Sequence, residues 1–91
     1  MEEIKVSKKD ILFYERLRII SELAPIREKI RAFENKYGMT LEEFEKWLEN
    51  SREESFEAWD DYIEWKAYSK KLEELQRRLE EIQNVQRVRI T

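Results

Sequence analysis

"WKAYSKKLEELQRRLEEI", residues 65–82, decides the fold. Its apolar residues Trp65, Tyr68, Leu72, Leu75, Leu79 and Ile82 are spaced 3, 4, 3, 4 and 3 apart. That is the a/d stripe of a helix that buries one edge against another helix. Followed outward, the helical pattern extends over about 54–84, and the chain ahead of it carries a matching stripe. Leu12, Ile19, Leu23, Ile26, Ile30, Phe33 and Tyr37 keep the same alternation if Arg16 takes one position of the seam. This register passes through Pro25 unbroken, which favours one helix over about 8–37 kinked at the proline. The competing reading is two helices separated near residues 21–24.

Punctuation fixes what lies between. Ser7 stands at an N-cap with Asp10 three residues on, an imperfect capping box. Gly38 is placed to close the first helix, and Thr40 with Glu43 forms the box of a short helix over about 41–50. Ser51 and Ser55 are available to cap the third. At the ends, residues 3–6 and 86–91 alternate apolar and polar side chains and read as short strands. The expected fold is all-α, a single domain over residues 1–91. Two long antiparallel helices form a hairpin, the short helix sits at its tip, and the terminal strands pair at the other end. An isolated two-stranded ribbon is marginal in water, so those strands would seek a second copy or a partner's sheet edge.

Composition narrows the functional classes. The chain has 91 residues, 43% of them charged, with one Gly, one Pro, no Cys and no His. The absence of His removes the usual proton shuttle and the commonest metal ligand. Without Cys there is neither disulfide nor thiol chemistry, and no apolar run is long enough to span a membrane. The expected setting is cytoplasmic, and richness in Lys, Glu and Arg fits a thermophilic source. No glycine-rich phosphate loop is present. The motif pair of all-helical nucleotide pyrophosphatases is incomplete, because "EESFE" and "EAWD" overlap on one helix and Lys46 interrupts the other candidate. Among the carboxylates, Glu57, Asp61 and Glu64 share a helix face, the geometry of a divalent-cation site, although a solvated acidic face is the commoner meaning of such a set. The chain is therefore expected not to be an enzyme and to carry no cofactor or metal.

Charge and aromatic residues concentrate together. Residues 41–64 hold ten acids against Lys46 and Arg52, a net −8, between flanks of +2 and +3. Residues 44–68 hold seven of the eleven aromatic side chains. At 100° per residue, Phe56, Trp59, Ile63 and Ala67 lie opposite the Trp65–Ile82 stripe. Either the short helix folds over them or a partner does. Trp and Tyr are typical interface anchors, and an acidic rim steers a basic partner. The candidate partner-binding residues are Trp47, Phe56, Glu57, Trp59, Asp60, Asp61, Tyr62 and Glu64 at the tip. Arg87, Val88, Arg89 and Ile90 join them if the last strand adds to a sheet.

The motifs "FENKYGMTLEEFE" (33–45), "WDDYIEWKAY" (59–68) and the closing "VRIT" resemble a group of small archaeal and bacterial helical proteins, mostly uncharacterised. Their genes often lie beside small toxin-like genes, including the TumE type. The resemblance covers roughly residues 10–91, with Thr40 where Ser is usual. It implies an antitoxin-like protein with a cognate toxin as partner, expected from the acidic tip to be basic, and it transfers no binding residues. Two other functions compete. One is a homodimeric structural protein built from two hairpins. The other is a ribbon-type DNA binder using Lys5, Arg87 and Arg89, for which basic residues are few. Otherwise nucleic acid is expected to meet this chain only through its partner.

Overall fold

The structure, a computed structural model, describes residues 7–52 and 55–90, and the side chains of residues 86–90 are not described. It consists of α1 (Lys8–Tyr37), α2 (Leu41–Asn50) and α3 (Phe56–Ile90), with no strand among the described residues. The two long helices run antiparallel. Glu15 meets Arg78 at 2.7 Å near the open end, and Lys36 meets Asp61 at 2.7 Å near the tip. Between these pairs, Ile19 and Leu23 of α1 bury against Leu75 and Ile82 of α3, flanked by Leu12, Ile26, Leu72 and Leu79.

The caps work as their residue types suggest. The Ser7 hydroxyl accepts from the Asp10 amide, and Thr40 accepts from that of Glu43, both at 3.2 Å. Ser55, not Ser51, caps α3, accepting from the Ala58 amide at 3.2 Å. Gly38 takes the left-handed conformation, φ 64°, and its N–H donates to the Glu34 carbonyl at 2.7 Å. Nothing would crowd a side chain there, so the cost of Gly38→Ala is backbone strain alone. It is expected to be about 1 kcal/mol, read as a fall in thermal midpoint of about 4–8 °C.

Helix α1 is continuous through Pro25, which excludes a break at residues 21–24. The proline and Ser21, whose carbonyl loses its amide donor, are both exposed. Water can therefore replace the missing hydrogen bond. The Ser21 hydroxyl donates to the Arg18 carbonyl at 2.7 Å, a local bond typical of Ser inside a helix. Arg16 does take a seam position. It is half-buried, and its Nε is enclosed without a hydrogen-bond partner, so its aliphatic stem supplies the packing.

One expectation fails. Residues 86–90 continue α3 as helix and do not form a strand, so Arg87, Val88, Arg89 and Ile90 offer no preformed edge to a sheet or a DNA groove. The first expected strand, residues 3–6, and Lys5 with it, lies outside the described residues. The physical reason for the helix is propagation. Once a long helix is nucleated each added residue gains a hydrogen bond, and no Gly or Pro follows Gly38 to stop it.

The molecule is elongated, 67 × 33 × 16 Å, with a radius of gyration of 19.1 Å, where a compact chain of this length would have about 12 Å. Its accessible surface is 7826 Å², against about 5,700 Å² for a compact protein of this mass. Much apolar side-chain surface therefore stays in water.

Candidate functional site

The tip is built around Trp65, which is 1% exposed. Its ring stacks on Phe33 with centroids 5.6 Å apart and lies 5.4 Å from Phe44 and 6.4 Å from Tyr37. Phe44 and Leu48 carry α2 onto α3 at Ala58 and Trp65, and Ile30, Met39, Leu41 and Tyr62 close the cluster. The small Ala58 side chain lets α2 approach closely. Consequently α2 covers the Ala58, Tyr62 and Trp65 side of α3 and leaves the opposite side bare. The alternative in which the short helix folds over Phe56, Trp59 and Ile63 is overturned: Phe56 is 85% exposed, Ile63 64% and Trp59 44%.

These three side chains lie within about 60° of arc on α3. Trp59 stands edge-on to Tyr62 at 6.0 Å, and Trp47, 41% exposed, stacks on Phe44 at 5.8 Å. Asp60 and Glu64 are exposed and border the bare face on one side by helical position, and Lys66 and Lys70 border it on the other. Tyr62 is half-buried and donates to Glu45 at 2.7 Å. That bond, then burial, raises its pKa.

Asp61 faces the hairpin, and Glu57, whose side chain is 74% exposed, reaches the same lysine from the rim. Lys36 Nζ sits 2.8 Å from Glu57 and 2.7 Å from Asp61, and the Tyr37 hydroxyl also donates to Asp61. The Trp65–Ile82 seam thus continues through an acid, neutralised by a cation and a phenol from α1. Glu57 and Asp61 have an ammonium group between them, while Glu64 stays exposed. Among the described residues no three metal-ligating side chains gather.

This cluster sets the expected pH profile. Hydrogen bonds from Lys36 and Tyr37 hold the Asp61 carboxyl below its usual range. Asp61, then Glu57, hold the Lys36 ammonium above its own range. Burial, then Asp61, push the Tyr37 hydroxyl up. The Asp61 contribution is complete above the unfolded carboxylate pKa, about 3.9, and is lost as pH falls through the lower folded value. The Lys36 and Tyr37 contributions are complete below about 10 and are lost as pH rises through the higher folded values. With no His in the chain, the thermal midpoint should be flat from about pH 5.5 to about 9 and fall on both sides. Asp61→Asn should lower the plateau and shallow both arms. The effect is modest, because the Lys36 side chain is 45% exposed and solvent screens the pair. An unchanged profile in the variant would contradict the assignment.

The structure therefore brings Trp47, Phe56, Trp59, Asp60, Tyr62 and Glu64 to one end of the molecule. Asp61 belongs to the hairpin's own joint, and Glu57 shares its lysine while staying exposed at the same end. Arg87, Val88, Arg89 and Ile90 lie in the last turns of α3, about 45 Å along the helix from Phe56. Lys36 and Glu45 belong to the tip although periodicity did not single them out, and Tyr37, a seam residue by its spacing, sets its hydroxyl against an acid. The clue was a seam that meets an acid at Asp61 opposite a Lys–Tyr pair.

A family model described as the uncharacterised MJ0235 family matches residues 1–87. The chain belongs to this family. Comparison with curated proteins and with solved structures returned no match. Membership in the MJ0235 family agrees with a small, uncharacterised helical protein and names no activity. No helix among the described residues is long and apolar enough to cross a membrane.

Proposed function

We propose that this chain is a non-enzymatic protein-interaction module, antitoxin-like, whose acidic aromatic tip binds and masks a basic protein partner. The observation that carries this reading is the bare face of α3 formed by Phe56, Trp59 and Ile63. Two large aromatics and a β-branched aliphatic side chain held open on a rigid helix make a preorganised anchor set. Residues 41–64 carry a net −8 along the sequence, which Lys36 offsets in part at Glu57 and Asp61; the remaining acidity, with Asp60 and Glu64 exposed beside the face, favours encounter with a basic surface and disfavours nucleic acid. The likeness of "WDDYIEWKAY" to proteins encoded beside TumE-type toxins supports a toxin as the partner. Masking would work by occupation: a negative, aromatic tip fills a groove that otherwise receives an anionic substrate.

Co-expression with the product of the adjacent gene tests this. The reading predicts that the two co-purify, that growth arrest caused by the partner is relieved, and that association slows as salt rises. Absence of both co-purification and rescue rejects it.

A further inference from the structure

Helix α1 carries a second apolar stripe on the outside of the hairpin. Phe13, Leu17, Ile20 and Ala24 each follow a residue of the inner seam in the chain, so the stripe lies about 100° round the helix from it. Phe13, Leu17 and Ile20 are about half exposed, and Ala24 is exposed. A charged residue continues the stripe at each end, Asp10 before Phe13 and Arg27 after Ala24. Both are exposed, and neither has a salt-bridge partner among the described residues. The whole run, 10, 13, 17, 20, 24 and 27, steps by 3, 4, 3, 4 and 3. It is a coiled-coil seam whose spacing reads the same from either end.

From this face we infer that two copies of the chain pair through the outer stripe of α1, antiparallel, about a two-fold axis that crosses the helices near residues 18 and 19. A two-fold interface must be complementary to itself, and this stripe is. Laid against its own reverse, Asp10 stands opposite Arg27, Phe13 opposite Ala24 and Leu17 opposite Ile20, each pair occurring twice. Opposite charges therefore close both ends of the seam. The volumes match as well: the bulkiest side chain meets the smallest, and two of similar size share each central layer. A parallel pair stacks every residue on its own copy. That sets Asp10 on Asp10, Arg27 on Arg27, Phe13 on Phe13 and Ala24 on Ala24, with like charges at both ends and apolar layers of unequal width. Charge and volume thus choose the same occupant and the same direction.

In this register the two α1 helices overlap over residues 8–29, and residues 30–37 carry each tip clear of the partner's α1. The acidic tips lie at opposite ends of the dimer and stay uncovered, so the pairing does not depend on the tip having a partner. Four apolar layers make a small interface, and the association is weak and concentration-dependent.

Sedimentation of the full chain from about 1 to about 200 µM should show a monomer–dimer equilibrium. Leu17→Glu should weaken it more than about tenfold with helicity unchanged, since the position is already half exposed. Arg27→Glu puts like charges in both end layers and should weaken it about fivefold, and Asp10→Lys added to the same chain should restore it. Because the chain contains no Cys, single cysteines report the direction. Ala24→Cys alone should not cross-link under mild oxidation, because its two copies stand about 16 Å apart along the helices, beyond the reach of a disulfide. Mixed with Phe13→Cys it should give a linked heterodimer, because those two positions share a layer. A clean monomer throughout the range overturns the inference. So does a dimer that Leu17→Glu leaves intact, one that the charge exchange fails to restore, or one in which Ala24→Cys links to its own copy.

Discussion

Trp65→Ala is expected to destabilise the chain by about 3–5 kcal/mol, the range for removing a buried aromatic side chain. Total stability for 91 residues is about 5–14 kcal/mol, and a chain with so small a core sits toward the low end. The loss is large because Trp65 is the largest fully buried side chain and joins all three elements. It touches Phe33 and Tyr37 of α1 and Phe44 of α2, and it belongs to α3. Removing it opens a cavity beside Phe44, which keeps Tyr37 at 4.2 Å and Tyr62 at 6.4 Å, and loosens α2 from α3. The α1–α3 seam from Ile19 to Ile82 forms a separate cluster, so residual helicity should outlast the tip. Urea unfolding followed by circular dichroism and by fluorescence of the remaining two tryptophans would register this as an early fluorescence transition. A variant that unfolds at the wild-type midpoint would show that the tip is not organised around Trp65.

The second large effect is on binding. Phe56→Ser combined with Trp59→Ser should weaken the interaction with the basic partner by about a thousandfold, taking about 2 kcal/mol for each anchor. The same double variant should change the unfolding free energy by no more than about 1 kcal/mol, because Phe56 is 85% exposed and Trp59, 44% exposed, lies edge-on to Tyr62 outside the core clusters. The separation of the two readouts is the point: core residues cannot lose binding without losing stability. Asp60→Lys or Glu64→Lys should act differently, slowing association and reducing its salt dependence while changing dissociation little. Calorimetric titration and urea unfolding of the same samples check both halves.

Most of the architecture was legible because the punctuation is unambiguous. Ser7, Gly38 and Thr40 mark ends that the structure reproduces at Lys8, Tyr37 and Leu41, and the Trp65–Ile82 spacing set the hairpin seam. Two local features resisted reading for physical reasons. The alternation of Val88 and Ile90 with Arg87 and Arg89 covers only four residues, too few to separate a strand from a helix that has not been told to stop. At the tip, the placement of Glu57, Asp61 and Glu64 on one helix face gave no sign of which acid lies inside. In fact Asp61 stays on the inner face, because Lys36 and Tyr37 satisfy it. A pairing across 25 residues leaves no periodic trace. Phe56 and Trp59 stand apart from the core stripe, as their spacing indicated. Which side of α3 stays bare depends on where α2 packs, and it packs over Ala58 and Trp65. The outer stripe of α1 was present in the spacing of Phe13, Leu17, Ile20 and Ala24, but it is masked by the inner stripe one residue behind it.

The exposure of Trp59 in the isolated protein tests the central claim most directly. Incorporation of 5-fluorotryptophan gives three fluorine resonances, for Trp47, Trp59 and Trp65, assigned with Trp47→Phe and Trp59→Phe. The account predicts a large solvent-isotope shift for Trp59, a negligible one for Trp65, and loss of the Trp59 shift when the basic partner is added. A Trp59 resonance as insensitive to solvent as that of Trp65 in the free protein would mean that the chain covers this face itself, and would contradict the assignment of the tip as a binding surface.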